Sequence, residues 1–429
     1  HTLGCKVNSY ESQAMLNMFE EAGYEEVDFK EVADVYVVNT CTVTNTGDSK
    51  SRQMIRKAIR KNPQATVCVV GCYSQVAPQD IEAIEGVSII LGTQFRNEIV
   101  DLVEKYQQTH ERIVKVSEVK QLRKFEDLNI DRFLHTRAYL KIQDGCNNFC
   151  SYCIIPYTRG NVRSKKKENV ISEIKALVKN GYKEVVLTGI HTGHYGQDLK
   201  EYDFSDLLLE LEQIDGLERI RISSIEITEL TDKFMDVLKT SKKIVNHIHI
   251  PLQSGCDKIL KAMNRKYDMQ YFINKINQIR SIRKDIAITS DVIVGFPGET
   301  DEDFNITKEN IKKIKFTELH VFPYSKREGT PAAIMKNQID GNIKKQRVKE
   351  LIEVSEELKN EYYEKFIGKS LEVLVETYSE GYLIGHLSNY GKVKFKGDES
   401  LLHSLVMVKL NDYINDEFMG GLVKEEILA

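Results

Sequence analysis

Short apolar runs alternate with longer amphipathic stretches over the first hundred residues. The runs at 34–40, 65–71 and 87–91 are rich in Val and Ile and read as strands. Helical patterns lie around and between them, at 9–22, 48–61 and 78–85. Continuous apolar strands separated by helices are typical of a parallel sheet with both faces covered. We therefore predict an α/β domain over residues 1–105.

The next stretch, 106–135, is polar with weak periodicity and is predicted to be a linker. Residues 136–335 then repeat a strand-then-helix theme six times, and a charged amphipathic helix over 341–366 follows. The predicted strands are 138–142, 184–188, 219–223, 247–251, 288–294 and 318–322, and the predicted helices between them are 168–180, 205–214, 229–239, 268–283 and 301–314. Six such units predict a partial (β/α)6 barrel, related to the eight-fold TIM barrel, in a domain of residues 136–366.

The last part of the chain, 367–429, has a different pattern of apolar and polar residues. Its short alternating runs are 371–376, 382–386, 393–396, 405–410 and 418–423. Five short strands with glycines between them predict a small antiparallel β-barrel of the oligonucleotide-binding kind. The whole chain is thus expected to be an α/β protein with a separate β-barrel at its end.

Composition excludes several classes of protein. The 429 residues include 60 Lys+Arg and 64 Asp+Glu, a net charge of −4 that gives no overall nucleic-acid signal. There is no apolar run long enough for a membrane span and no signal-like segment at the visible start, so we expect a cytoplasmic protein without a membrane partner. Eight cysteines in a chain of this size favour reduced thiols that bind metal over a disulfide framework.

The strongest chemical signal is the triplet Cys146-x3-Cys150-x2-Cys153, directly after the first barrel strand. Three thiolates on one tight loop can hold three irons of a 4Fe–4S cluster, which leaves the fourth iron open to chelate S-adenosyl-L-methionine (SAM). The alternative is a structural zinc site. Zinc usually needs four ligands, and the triplet has no fourth Cys or His close in sequence, so the cluster is the better interpretation.

This triplet on a strand-end loop of a partial barrel resembles the radical SAM superfamily. Thr188–His191 resembles the superfamily's loop that meets the SAM amino group, and Asp291–Thr300 resembles its adenine-supporting strand and turn. The resemblance, with the polar rim of the barrel, predicts nine SAM-binding residues: Gly189, His191, Ser223, Glu226, Gln253, Val294, Gly295, Phe296 and Pro297.

Three further cysteines, Cys5, Cys41 and Cys72, lie far apart in the N-terminal domain. Two of them end predicted parallel strands, whose carboxyl ends share one edge of the sheet, so three thiolates could converge there. Buried and inert cysteines are the alternative, and the spacing alone leaves both interpretations open.

Motifs around all six cysteines resemble the methylthiotransferase family. The matching segments are Thr2-Leu-Gly-Cys-Lys-Val-Asn8, Asn39-Thr-Cys-Thr-Val-Thr44, Gly71-Cys-Tyr-Ser-Gln75 and the run from Gly145 to Gly160. The resemblance covers nearly the whole chain and implies a second 4Fe–4S cluster on Cys5, Cys41 and Cys72. It also implies that the C-terminal barrel is a TRAM domain, an RNA-binding appendage. Cys68 and Cys256 match no ligand motif; we expect Cys68 in the core and Cys256 at the start of a helix.

The same resemblance implies an enzyme that acts on tRNA. One SAM would methylate a sulfur at the N-terminal cluster, and a second, cleaved reductively at the central cluster, would activate C2 of an adenine. Lys6-Val7 after the first cysteine favours the branch that modifies N6-threonylcarbamoyladenosine at position 37, beside the anticodon. Such an enzyme needs a flavodoxin- or ferredoxin-type one-electron reductant and a sulfur donor. Alternatives are the branches that act on isopentenyladenosine or on a ribosomal-protein aspartate, and a metal-containing RNA-binding module without activity.

Candidate RNA contacts come from local clusters of cations. The helix over 48–61 carries six Lys and Arg residues, and the loop over 159–167 carries five. Arg159 and Arg163 follow the central cysteines so closely that we predict substrate contacts for them. The C-terminal module has six basic against ten acidic residues, so its RNA contacts depend on one basic strand and on aromatic side chains. Those residues are Lys392, Lys394 and Lys396, with Tyr382, Tyr390 and Phe395.

Overall fold

A computed structural model of the chain describes residues 1–423, so the end of the predicted C-terminal domain, 424–429, lies outside the described residues. The N-terminal lobe is a four-stranded parallel sheet in the order β1-β2-β3-β4. Its strands are β1 Val35–Thr40, β2 Thr66–Gly71, β3 Ile89–Leu91 and β4 Ile113–Lys115. Its helices are α1 Lys6–Glu21, α2 Asn45–Lys61, α3 Cys72–Val76, α4 Pro78–Glu82 and α5 Ile99–Thr109. The predicted α/β sheet is confirmed.

The predicted linker, 106–135, contributes to both lobes. It holds the end of α5 and the whole of β4, which pairs in parallel with β3. Further along, Leu128, Ile130 and Phe133 are buried in the barrel core. A three-residue strand among polar neighbours gives too short a pattern to be seen in sequence, which is why the segment reads as a linker.

The central lobe is the predicted partial barrel of six parallel strands. They form two three-stranded sheets, β5-β8-β9 and β10-β11-β12, and a bridge from Ile220 to Ile244 continues one into the other. The barrel strands are β5 Arg137–Lys141, β8 Glu184–Thr188, β9 Arg219–Ile222, β10 His247–His249, β11 Ala287–Val294 and β12 Glu318–Pro323. A short antiparallel ribbon of β6 Gln143–Asp144 and β7 Arg163–Ser164 was not predicted.

Helices cover the outside of this barrel. Strand residues such as Val185, Leu187 and Ile220 pack against these helices in the core. Because successive side chains of a strand point to opposite faces, the residues between them face the lumen of the barrel. The helices are α6 Ile155–Arg159, α7 Lys167–Lys179, α8 Phe204–Glu212, α9 Asp232–Thr240, α10 Asp257–Ala262, α11 Met269–Ile282, α12 Asp301–Ile314 and α13 Gly341–Glu364. Cys256 caps the start of α10 and Cys68 is fully buried in β2, as predicted.

The C-terminal module is a closed five-stranded barrel in the order β13-β14-β15-β17-β16. Its strands are β13 Ser370–Ser379, β14 Tyr382–Leu387, β15 Lys392–Lys396, β16 Leu405–Ile414 and β17 Glu417–Leu422. It docks on the amino ends of the barrel strands: Arg219, the first residue of β9, bonds Glu372 at 2.9 Å, and Arg221 stacks 3.8 Å from the ring centre of Tyr390. The module therefore lies at the end of the barrel opposite the cysteine loop. Over residues 1–423, no helix is both long and apolar enough to cross a bilayer.

Candidate functional site: two cysteine trios

The central trio sits on a loop that the β6–β7 ribbon holds in place. Gly145 has φ +75°, and a Cβ added there would lie 1.9 Å from the carbonyl oxygen of Asn161, so only glycine fits. The Cys146 amide donates to the carbonyl of Gly160 at 2.9 Å, which closes the loop against the ribbon. A tight return of the chain thus brings the three thiols of a short segment to the carboxyl end of the barrel.

Two side chains that contact the central thiols come from distant parts of the sequence. Arg265 donates to Cys150 Sγ at 3.3 Å and forms an ion pair with Glu226. His191 Nδ1 lies 3.4 Å from Cys146 Sγ, so the fold places one of the predicted SAM-binding residues beside the trio. Burial raises the pKa of the Cys153 thiol to about 12, and Cys150 adds to this rise because its thiol is close by.

The N-terminal trio is assembled from three separate elements. Cys5 precedes α1, Cys41 follows β1, and Cys72 follows β2 at the start of α3. A Cβ on Gly4 would lie 3.3 Å from Cys41 Sγ, which shows how closely the first segment approaches the second. Parallel pairing of β1 with β2 puts Thr40 directly opposite Gly71, so the residues that follow both strands meet at one edge.

Burial and neighbouring charges shift the pKa values of two of the N-terminal thiols. Burial raises the pKa of the Cys72 thiol to about 11 against the opposing effect of Arg159, and Cys5 adds to the rise. Burial also raises the pKa of Cys41, again with a contribution from Cys5. The strand register and the close approach of Gly4 to Cys41 place the three cysteines at one edge of the sheet, and their binding of a cluster stays a prediction. A converged trio of thiols with few other donors fits a 4Fe–4S cluster that has one iron without a protein ligand.

One buried guanidinium joins a thiol of the N-terminal trio to the ribbon that holds the central loop. Arg159 Nε donates to Cys72 Sγ at 3.2 Å, and its Nη1 pairs with Glu11 at 2.9 Å and with Asp144 at 3.2 Å. Asp144 immediately precedes Gly145 and the central loop. Against the opposing effect of burial, Arg159 and its neighbours Arg96 and Lys141 hold the pKa of Glu11 at about 2. A charged network therefore spans the interface between the lobes.

This network corrects the prediction for the loop over 159–167. Arg159, Arg163 and Lys165 are at most 1% exposed, so they do not face the phosphates of a bound RNA. Arg163 pairs with Asp144, and Lys165 pairs with Glu173. The cluster of cations was visible in the sequence, but the carboxylates that neutralise it come from distant segments.

A second connection joins the lobes on the other side of Cys41. Arg327, in the loop after β12, donates to Asp48 at 2.7 Å and to Thr42 at 2.7 Å. The side chain of Asn45 bonds back to the carbonyl of Lys326 at 3.1 Å. The barrel loop thereby holds the segment between Cys41 and α2 in place.

The nine predicted SAM-binding residues lie around the carboxyl end of the barrel, in several different environments. The amides of Gly295 and Phe296 donate to Glu299 Oε2 at 2.8 and 3.2 Å. The side chains of Val294 and Phe296 are buried in the core. The predicted residues close to the central cysteines are His191 and Glu226, the latter through Arg265. The others are Gly189, Ser223, Gln253 and Pro297, and SAM contact for all nine stays a prediction.

Several residues at this site carried no signal in the sequence. Arg265 lies beyond α10, Arg327 lies after β12, and Glu11 sits on α1, all within ordinary charged surroundings. Glu229 contacts both His191 and His194, and its bond to His194 is 3.0 Å. Only their position in the fold shows that these side chains support the cysteines.

Some of the residues predicted to contact RNA are exposed, and others are not. Lys50, Arg56 and Lys57 on α2 are exposed. On β15, Lys392 and Lys396 are exposed, and Lys394 lies 4.8 Å from the ring centre of Tyr382. Of the other two aromatic candidates, Phe395 is buried in the small-barrel core, and Tyr390 is half-buried and contacts Arg221.

Comparisons with known proteins agree with this architecture. Residues 140–311 match the Radical SAM superfamily, and residues 1–92 match the Uncharacterized protein family UPF0004. A solved radical S-adenosylmethionine methyltransferase, TsrM from Kitasatospora setae, has a similar fold, with a TM-score of 0.58 and 15% identity over 76% of this chain and 74% of that one.

Curated relatives match the chain over most of its length. The Threonylcarbamoyladenosine tRNA methylthiotransferase MtaB of Bacillus subtilis is 52% identical over 96% of this chain and 92% of its own. The protein of the same name from Aquifex aeolicus is 42% identical over 87% and 91%. A tRNA-2-methylthio-N(6)-dimethylallyladenosine synthase from Carboxydothermus hydrogenoformans is 38% identical over 96% of both chains.

Proposed function

The chain belongs to the tRNA methylthiotransferases of the radical SAM superfamily, and we propose that it adds a methylthio group to C2 of N6-threonylcarbamoyladenosine at position 37 of tRNA. The relative at 52% identity, with both chains almost fully covered, carries the choice of substrate. The dimethylallyladenosine enzymes are similar at lower identity and supply the second candidate. The enzyme uses two 4Fe–4S clusters and SAM.

We assign the clusters to the two trios. Cys146, Cys150 and Cys153 would hold the cluster that binds SAM, and Cys5, Cys41 and Cys72 would hold the auxiliary cluster. When bound, the SAM-binding cluster supplies one electron that cleaves the sulfonium, which allows an otherwise inert C–H bond to react. The domains follow this assignment: 1–105 carries the auxiliary site, 136–366 the radical SAM site and 367–429 the TRAM module.

The chain's own residues position these two sites. Arg159 directs an N–H at the Cys72 sulfur, and Arg265 directs one at the Cys150 sulfur. Hydrogen bonds to ligand sulfurs stabilise the reduced form of an iron–sulfur cluster. The Glu11–Arg159–Asp144 bridge and the Arg327 contacts hold the lobes in one arrangement, so a substrate base between them meets both sites.

The target adenine has to leave its stack to reach such a site. Enzymes that act on a base commonly flip it out of the helix and bind it in a pocket. The exposed cations of α2 are on the same lobe as the auxiliary trio and would contact phosphates near that base. The basic strand of the C-terminal barrel would contact tRNA further away, at the other end of the radical SAM domain. A flavodoxin- or ferredoxin-type protein would supply the electrons, and a separate donor would replace the sulfur atom that is transferred to the tRNA. We propose that the reaction takes place in the cytoplasm.

Mass spectrometry of tRNA nucleosides tests this function directly. Cells that lack the gene should lose 2-methylthio-N6-threonylcarbamoyladenosine and accumulate the unmethylthiolated nucleoside. The intact gene should restore the mark, whereas a Cys146→Ala variant should not. If the methylthio group is lost from the dimethylallyl nucleoside instead, the substrate is the second candidate and the proposed substrate is wrong. If both marks persist, turnover of purified enzyme with a ribosomal protein becomes the remaining assay.

A further inference from the structure

A polar cluster lines the lumen of the partial barrel, between the strands β10, β11 and β12. The Thr289 hydroxyl lies 2.9 Å from both His247 Nε2 and His249 Nδ1. On its other side, His249 Nε2 faces Asp291 Oδ2 at 3.3 Å. The ligand atoms of His249, Asp291 and His320 all lie within 4.8 Å of one another. These side chains form one group, which we call the lumen cluster: His249, Asp291 and His320.

The strand register places this cluster in the lumen. Ile248, Ile288, Val292 and Leu319, which alternate with the cluster residues, are buried in the core beneath the helices. Side chains at alternate positions of a strand point to opposite faces of the sheet. Asp291 also lies in the strand that leads to the predicted SAM-binding turn at Gly295. The cluster therefore faces the space in which a substrate would lie.

The lumen cluster is only partly satisfied by the protein. The Asp291 side chain is 30% exposed and His320 is an exposed residue. Within residues 1–423, no side chain donates a hydrogen bond to the other Asp291 oxygen, and His320 has no hydrogen-bond partner. A carboxylate and an imidazole that face a cavity in this way are available to a ligand with both acceptor and donor groups.

We infer that His249, Asp291 and His320 bind the amino-acid substituent of the target nucleoside and so select it over a hydrocarbon substituent. This inference rests on the proposed function and names the residues that determine its substrate. A threonylcarbamoyl group carries a carboxylate, a hydroxyl and urea N–H groups. His320 can donate to its carboxylate, and Asp291 can accept from its hydroxyl or N–H groups.

The chemistry of the competing substrate supports this choice. A dimethylallyl group makes no hydrogen bonds, so its entry would remove water from Asp291 and His320 without replacing the lost contacts. Polar sites reject analogues that lack the matching groups for this reason. The cluster consequently acts in both directions: it attracts the amino-acid substituent and excludes the apolar one.

Binding of synthetic anticodon stem-loops tests the inference. Fluorescence anisotropy under anaerobic conditions would compare stem-loops with threonylcarbamoyladenosine, dimethylallyladenosine or plain adenosine at position 37. We expect the wild type to bind the first about tenfold or more tightly than the others. Asp291→Asn and His320→Phe should each bring that ratio down towards one. Lys57→Met, which removes an exposed cation of α2, should weaken all three stem-loops equally and keep the ratio.

The outcomes separate this inference from the proposed function. If wild-type enzyme does not methylthiolate the threonylcarbamoyl stem-loop, the proposed function fails. If it does, but both variants keep the wild-type binding ratio, only the present inference is overturned. A stoichiometric divalent metal, bound by the wild type and lost in Asp291→Asn, would also overturn it, since the cluster would then be a cation site. Asp291→Asn keeps the shape of the side chain, and iron content and circular dichroism would confirm that each variant is folded.

Discussion

The two cysteine trios reach similar surroundings by different routes. The central trio lies on one loop of a few residues, and its spacing alone indicates a cluster. The N-terminal trio comes from three elements that a parallel sheet brings to one edge. In both, one thiol accepts an N–H from a guanidinium that is paired with a carboxylate: Arg265 with Glu226 in one, Arg159 with Glu11 in the other.

The difference lies in where the supporting residues come from. Arg265 and Glu226 belong to the same domain as Cys150. Arg159 belongs to the barrel, yet it supports Cys72 in the other lobe, and it shares Asp144 with the central loop. The auxiliary site is therefore built across the interface, whereas the central site is supported within its own domain. A change at the interface should disturb the auxiliary site first.

The largest effect should come from removing the thiols themselves. Cys150→Ala should abolish both SAM cleavage and methylthiolation, because the SAM-binding cluster is lost. Cys41→Ala should abolish methylthiolation while SAM cleavage continues, since the central trio is intact. Anaerobic assays that quantify 5′-deoxyadenosine and the methylthio nucleoside side by side would measure both activities.

A matched control is available in Cys256, whose thiol donates to Asp303 at 3.4 Å and lies outside both trios. Cys256→Ser keeps a donor at that position and should retain both activities. Equal loss of SAM cleavage in the Cys41 and Cys150 variants would contradict the division of labour between the sites.

The next effect concerns Arg159. Arg159→Met would leave Glu11 and Asp144 buried with fewer partners, so we expect a loss of about 3–5 kcal/mol in the free energy of unfolding of the cluster-free protein. Chemical denaturation would measure it. In the loaded enzyme, loss of the N–H to Cys72 should lower the reduction potential of the auxiliary cluster only.

Arg265→Met is the matching variant at the other site. Its effect on reduction potential, measured by electron paramagnetic resonance during a potentiometric titration, should appear on the central cluster instead. If the reduction potentials of both clusters shift in either variant, the two sites are not electrostatically separate.

A smaller effect is expected at the second contact between the lobes. Arg327→Gln removes the charge that pairs with Asp48 but can still hydrogen-bond its neighbours. If this contact fixes the auxiliary lobe over the barrel, methylthiolation should fall by roughly tenfold or more while SAM cleavage is retained. The ratio of 5′-deoxyadenosine to methylthio product measures this uncoupling. A proportional fall in both products would indicate general damage rather than misplacement.

The smallest effect should be on tRNA binding through the surface cations. Charge neutralisation at Lys57 on α2 or at Lys394 on β15 should weaken tRNA binding modestly and reduce its salt dependence by about one phosphate contact. Titrations at several salt concentrations would compare the two variants. An effect at Lys57 alone would indicate that the C-terminal barrel does not contribute to RNA binding.

The two trios also differ in how much of their surroundings could be predicted from the sequence. The strands, the partial barrel and the small barrel were predictable because their apolar periods are clear. Convergence of Cys5, Cys41 and Cys72 was one of two interpretations that the spacing and the parallel-strand rule left open, and the resemblance to the methylthiotransferases favoured it. The partners of Arg159 and Arg163 were not predictable, since Glu11 and Asp144 are brought to them only by the packing of the lobes. A run of cations looks the same in sequence whether it faces phosphates or buried carboxylates.

Iron content of triple variants tests the central claim most directly. Reconstituted wild-type protein should hold about eight irons per chain, and a variant with Ala at Cys5, Cys41 and Cys72, or at Cys146, Cys150 and Cys153, should hold about four. Electron paramagnetic resonance should show the surviving cluster with its own signal in each. Only about four irons in the wild type, or loss of all iron in either variant, would contradict two independent three-thiol sites.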